Sequence, residues 1–304
     1  MKLTFASRSS ALARSQTAHV IELLQAAHPD LECDERLITS SDMQMLERSG
    51  LEIGDRKFFA QEVEEALLSG KVHAVVHSLK DLPVQDTPGI VVAAIPARDA
   101  AQDVLVSANG QTLAGLPEGA RVGTNSRRRS AQLLARRLDL SILPLNDTIN
   151  VRVQKVLEGE YQAVVMAQAG LMRLGLEACI SEVLPLEVML PAPAQGALAV
   201  QCRADDAETL ELFTAIHDPS TAAAVCAERA FLSSLGGDCS LPVAAFAQKN
   251  NGTIILTGAV ISVDGKQAIR LSAVDKEPQK LGQRLAELVL ERGAADLLKP
   301  IVCT

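Results

Sequence analysis

The order of strand and helix signals constrains this chain more than any other feature. Through the first two-thirds the two kinds alternate, and the alternation restarts near residue 100. Leu3–Ala6 reads as a short apolar strand, residues 9–27 as a helix stopped by Pro29, and 31–38 as a second strand. "FFAQEVEEALLSG" (58–70) has helical spacing, with Gly70 in the usual C-terminal position. "VHAVVHS" (72–78) and "GIVVAAI" (89–95) read as buried strands. After residue 100 come "DVLVS", "ARVGT", a helix near 126–137, "SILPL", a helix near 149–158 and "AVVMA". Strands alternating with helices predict α/β layers with mostly parallel pairing, and the restart predicts two of them. From about residue 219 the pattern changes. A helix over 219–234 precedes "VAAFAQ", "TIILTGAVIS" and "QAIRLSAVD". Asn250-Asn251-Gly252 and Asp264-Gly265 separate these runs, and both are hairpin signals. With a last helix near 278–292, this predicts a small α+β region built on a three-stranded antiparallel sheet. No internal repeat and no low-complexity segment is visible.

Composition narrows the class. Apolar residues make up 48% of the 304 and charged ones 22%, the balance of a globular chain. With no Trp and one Tyr, the core must come from Ala, Val, Leu and Ile. The net charge of -8 and the lack of a basic stripe speak against nucleic acid as a partner. The six cysteines contain no CxxC pair, and the five histidines are scattered, so no metal site is expected. No P-loop and no GxGxxG opening is present. "MKLTFASRSSALARSQ" lacks the apolar stretch of a signal peptide, and no apolar run reaches the roughly 18 residues of a membrane span. Reduced thiols and a cytoplasmic location are the expectation.

Two turns share a design. Strand 3–6 ends at Ser7-Arg8-Ser9-Ser10, where a helix begins; "RVGTNSRRRSAQ" passes through Thr124-Asn125-Ser126 into a helix starting Arg127-Arg128-Arg129. Ser, Thr and Asn are ordinary N-caps. Arginine is not the expected first-turn residue, because the positive end of the helix dipole disfavours cations. An anion at the helix start, held by backbone N–H groups and guanidinium forks, would explain it; a solvated helix face is the alternative. Strand 72–78 runs into Ser78, Lys80 and Asp81 of "HSLKD", where α/β sheets gather ligands. A carboxylate there could stabilise a developing positive charge or move a proton, or it could be an ordinary helix cap or a surface salt bridge. "LPAPAQGA" (190–197) is stiffened by Pro191 and Pro193 and fits a chain returning from one α/β region to the other. Spacing alone thus predicts a binder of a small polyanion, a polycarboxylate or phosphate ester. It leaves Cys239, on the turn "SLGGDCSLP", without a role.

"ASRSSALARSQ", "HSLKDLPV", "GTNSRRR", "AGLMRLG", "LPAPAQGALAVQCR", "AERAFL" and "LGGDCSLPV" occur in the order and at the spacing of the hydroxymethylbilane synthase (porphobilinogen deaminase) family, which the chain resembles over nearly its whole length. The resemblance implies a monomeric transferase of tetrapyrrole (porphyrin, haem) biosynthesis. It would condense four porphobilinogen molecules head to tail, lose ammonia at each step, and release hydroxymethylbilane by hydrolysis. It implies two lobes like those of type II periplasmic binding proteins, with the active site between them, and a third, smaller domain. The corresponding boundaries are 1–98 with 196–216, 99–195, and 217–304. It implies a dipyrromethane cofactor joined to Cys239 by a thioether, with Gly236 and Gly237 leaving room for the turn, and Asp81 as the catalytic carboxylate. Arg8, Arg128, Arg129, Arg152 and Arg173 would receive the acetate and propionate groups of the pyrroles. Ser10, Gln16, Ser78, Lys80, Thr124, Ser126 and Gln195 would assist, and Phe59 would pack on a pyrrole ring.

The chain departs from that family's pattern in three places. "LNDTINVR" (145–152) keeps Arg152 but has Asn146 where an active-site arginine is usual and Asp147 where a glycine is usual. "TSSD" (39–42) replaces TRGD, and "AAQD" (100–103) replaces DPRD. Arg127, where an apolar residue is common, is the candidate to restore the missing charge. The competing readings are a catalytically impaired paralogue and a non-catalytic small-anion binding protein of the same two-lobed fold. The latter would need neither the third domain nor Cys239. Residues 43–57, rich in charge and poor in periodicity, would suit a lid.

Overall fold

A computed structural model describes residues 2–38, 63–237 and 241–298. The chain divides into two compact units, Met1–Arg98 with Ala197–Ala222, and Asp99–Gly196 with Ala223–Thr304.

The first unit holds a five-stranded sheet in the order β2-β1-β3-β10-β4. Its strands are β1 (Lys2–Arg8), β2 (Glu32–Ile38), β3 (Ala74–Ser78), β4 (Ile90–Ala94) and β10 (Leu198–Arg203). Side chains alternate across it as a strand's period of two requires. Leu3, Phe5, Ala74 and Val76 join Val20 and Leu24 of helix Ala11–Ala27 and Phe213 of helix Ala207–Thr214 in one core. Phe5 meets Phe213 edge to face, with ring centroids 6.1 Å apart. Ala6 and Val75 point to the other face, onto Val63, Ala66 and Leu67, which belong to the helical residues 63–68.

The second unit repeats that order as β7-β6-β8-β5-β9, although no sequence repeat announces it. The strands are β5 (Asp103–Ser107), β6 (Arg121–Gly123), β7 (Ser141–Leu143), β8 (Ala163–Ala167) and β9 (Glu182–Val183). Leu105, Val122, Ala163 and Val165 face one core, and Val104, Val106, Val164 and Met166 the other. Burial on both faces is why these strands read as continuous apolar runs. Helices Arg127–Arg136, Ile149–Leu157 and Gln168–Met172 connect them.

Pairing is less parallel than expected. In each sheet the three strands at one side are parallel, but β10 runs antiparallel to β3 and β4, and β5 antiparallel to β8 and β9. Each of these two strands is inserted between neighbours distant in sequence, so local alternation does not reveal its direction. With that exception the architecture is the expected one, two α/β sheets and a separate three-stranded antiparallel sheet.

The antiparallel sheet has the order β11-β12-β13, from Val243–Asn250, Thr253–Ile261 and Ala268–Asp275. Asn250 pairs with Thr253 across Asn251 (φ 48°) and Gly252 (φ 77°), so both loop residues are left-handed, as a two-residue type I′ hairpin demands. Ala244, Ala259 and Ile261 of this sheet share a core with Ala131 of helix Arg127–Arg136 and with Leu190. A Cβ on Gly265 (φ 73°), at the β12–β13 tip, would lie 2.6 Å from Ala135 N and 2.7 Å from Ala131 O, so the tip docks backbone to backbone on that helix. Helix Pro278–Glu291 covers the sheet through Leu281, Leu285 and Val289.

Candidate functional site

The carboxyl ends of the parallel strands place most of the expected residues. In the first sheet, β1 ends at Arg8, and Ser10 caps helix Ala11–Ala27 by accepting from Ala13 N at 3.3 Å. β3 ends at Ser78, whose Oγ accepts from the buried Gln16 Nε2 at 2.6 Å. The next three residues, Leu79–Asp81, turn as a 3-10 helix that Leu79 N ties to Ala197 O at 3.0 Å. Lys80 and Asp81 are thus half-buried, one turn beyond a central strand. His77 stands beside them. Burial, then the Arg8 charge, lowers its pKa to about 4, against weaker support from Gln201 and Asp81. Its Nε2 and the Gln201 Oε1 make no hydrogen bond among the described residues.

In the second sheet the helix start drawn as an anion site is electrically more specific than the sequence showed. Arg127 is exposed, whereas Arg128 and Arg129 are buried. An anion does sit there, and it belongs to the chain. Asp103, fully buried at the start of β5, accepts from Arg128 Nη1 at 2.7 Å on Oδ2 and from Arg129 Nε at 2.9 Å on Oδ1. Arg129 Nη2 lies 2.8 Å from the same Oδ1. Burial alone would raise the Asp103 pKa, but Arg128 and Arg129 outweigh it and hold the carboxyl far below its usual range. Gln195, also fully buried, donates Nε2 to Asp103 Oδ1 at 3.0 Å and to Ala101 O at 2.8 Å. Thr124 Oγ1 accepts from Ser126 N, and Ser126 Oγ from Arg129 N, so both act as turn and cap residues.

The other cations also have protein partners. Arg173 reaches Asp99 through Nη2 at 2.7 Å and Gly196 O at 2.9 Å. Arg152 donates Nε to Asp147 O at 2.7 Å, and Lys155 Nζ meets Asp147 Oδ2 at 2.8 Å. The aspartate that stands where glycine is usual is therefore built into the helix start. Asn146 is exposed. Phe59, Cys239 and the segment 43–57 lie outside the described residues. Burial raises the thiol pKa of Cys33 and Cys226, and that of Cys202 to about 11, so these three are poor nucleophiles at neutral pH. Sequence reasoning missed Asp103 and Asp99. The one available signal was an aspartate opening an otherwise apolar strand.

Two buried guanidiniums against one buried carboxylate leave the Asp103 cluster with one positive charge over, and carboxylates are the chemistry that such donors fit. Among the described residues no group of three or more His, Cys, Asp or Glu side chains could hold a metal ion, and no helix is long and apolar enough to cross a membrane. Sheet order and cation cluster together describe an α/β protein with a buried Arg–Asp cluster at the strand ends of its second sheet.

The family is narrower than that class. Residues 3–211 match the model described as "Porphobilinogen deaminase, dipyromethane cofactor binding domain", and 222–291 match "Porphobilinogen deaminase, C-terminal domain". The chain belongs to the porphobilinogen deaminase family. It is 44% identical to the porphobilinogen deaminase of Roseiflexus castenholzii over 97% of this chain and 98% of that one. It is 42% identical to that of Brevibacillus brevis over 97% and 96%. Among solved structures, the methionine-binding protein MetQ matches 73% of this chain and 92% of its own at 13% identity, with a TM-score of 0.44. A YaeC-family lipoprotein from Enterococcus faecalis matches 73% and 93% at 16% identity, with a TM-score of 0.42.

Proposed function

We propose that the chain is a hydroxymethylbilane synthase, a transferase that condenses four porphobilinogen molecules head to tail with loss of ammonia and releases the product by hydrolysis. The observation that carries this reading is full-length membership of a family whose matched region is a dipyrromethane-binding domain, on a chain with two buried arginines paired to one aspartate at a helix start. Arg8, Arg128, Arg129, Arg152 and Arg173 receive the pyrrole carboxylates, for which guanidinium forks are the fitting donors. Ser10, Gln16, Ser78, Lys80, Thr124, Ser126 and Gln195 orient them, and Phe59 stacks on a ring. Asp81 lies near the reacting carbon, balances the positive charge that develops there as the amine leaves, and moves the proton. When bound through Cys239, dipyrromethane supplies the pyrrole end from which the product grows. Arg127 replaces the charge missing at Asn146. The protein works as a cytoplasmic monomer, with 1–98 plus 196–216, 99–195 and 217–304 as its three functional regions.

The intact mass of the purified protein tests the class. A two-pyrrole adduct is expected, and it should be absent in Cys239→Ser. Asp81→Ala should keep the adduct and lose turnover by roughly a hundredfold or more. An unmodified folded protein releasing no ammonia from porphobilinogen would sink the enzymatic reading. Arg127→Leu should alter the distribution of bound chain lengths; an unchanged distribution removes Arg127 from its role.

A further inference from the structure

We infer that Asp103 is a positioning residue for carboxylate recognition, fixing Arg128, Arg129 and Gln195 so that their one uncancelled positive charge meets a substrate carboxylate. The inference rests on the function proposed above and deepens it. Asp103 uses both oxygens: Oδ2 takes Arg128, and Oδ1 takes Arg129 and Gln195. Long side chains that would otherwise sample many rotamers are thereby held at the carboxyl edge of the second sheet. A second layer fixes the first. Arg128 Nη1 also donates to Leu190 O at 2.7 Å, and Gln132 grips both the N–H and the C=O of Leu190. Gln195 arrives on equally constrained backbone. Ala194 has φ 62°, unfavourable for a residue with a Cβ, and its N–H is held at 2.6 Å by the buried Glu228, whose other oxygen takes Ala247 N. A surface helix needs no such bracing. Donors aimed in advance at a ligand's charge do, because their benefit depends on not reorganising when it binds.

The experiment uses the holoenzyme, with its adduct verified by mass, as parent, Asp103→Asn and Asp103→Glu. Steady-state kinetics with porphobilinogen and a melting curve are read for each. Asn keeps the size but removes the charge and presents an amide to two guanidiniums. Its KM is expected to rise about tenfold, with kcat falling less. Glu keeps the charge but displaces it by one methylene, and a KM rise of about threefold or more is expected. A purely structural role lowers the melting temperature of the folded variants and leaves KM below about threefold of the parent, which overturns the inference. If Asp103→Asn does not fold, Asp103→Glu decides by the same threshold. A parent that releases no ammonia overturns the enzymatic reading and this role with it; an active parent with unmoved variants overturns the role of Asp103 alone.

Discussion

At the residue scale, His77 carries a pH dependence. Its pKa is about 4 in the folded chain and near 6.5 when unfolded, so the unfolded chain binds the proton more tightly. The stability this neutral ring contributes is fully present above about pH 6.5 and is lost as pH falls toward 4. Between pH 7 and pH 5 the loss from this group is about 2 kcal/mol. Unfolding free energies from urea melts at the two pH values should converge in His77→Gln by about that amount; an unchanged gap would assign the acid sensitivity elsewhere. Sequence reading was uneven at this scale. Arg128 and Arg129 were visible because cations defy the helix dipole. Asp103 was not, because one aspartate opening the strand "DVLVS" says nothing of its partners, and only the fold brings residues 103, 128, 129 and 195 together. His77 was visible as a residue but not as a neutral one, since burial and the Arg8 charge are tertiary facts.

At the element scale, the β11–β12 and β12–β13 turns are a natural pair for comparison. Gly252 and Gly265 both have positive φ, but a Cβ on Gly252 would meet nothing within 4 Å, whereas on Gly265 it would strike the backbone of helix Arg127–Arg136. Gly252→Ala should cost about 1–2 kcal/mol, the left-handed backbone alone. Gly265→Ala should cost about 3 kcal/mol or more, because neither the turn nor the helix can yield cheaply. Chemical denaturation of both variants checks this; equal losses would mean that the docking contributes nothing. The turns were legible from Asn-Gly and Asp-Gly. Their docking partner was not, because nothing in Gly265's own neighbourhood names a helix 130 residues away. Helices Gln168–Met172 and Ala207–Thr214 also escaped sequence reading, the first for its brevity.

At the scale of the whole molecule, two sheets of one order arise from dissimilar sequence, each completed by a strand from a remote part of the chain. Among the described residues, the β4 strand pairs only with β10. A chain ending at Gly196 should therefore leave the amides of Ile90–Ala94 open to hydrogen exchange, while the full chain protects them; protection in the fragment would mean that β4 finds another partner. The same insertion orders events during synthesis. About 100 residues separate β4 from β10, and at about 5–20 residues per second the ribosome needs roughly 5–20 s to make them. For that time β3 and β4 expose facing edges that cannot yet be joined, in a cell full of other nascent strands. Slow decoding between residues 94 and 198 would lengthen that exposure, so the codons of the second unit set how safely the first one is made.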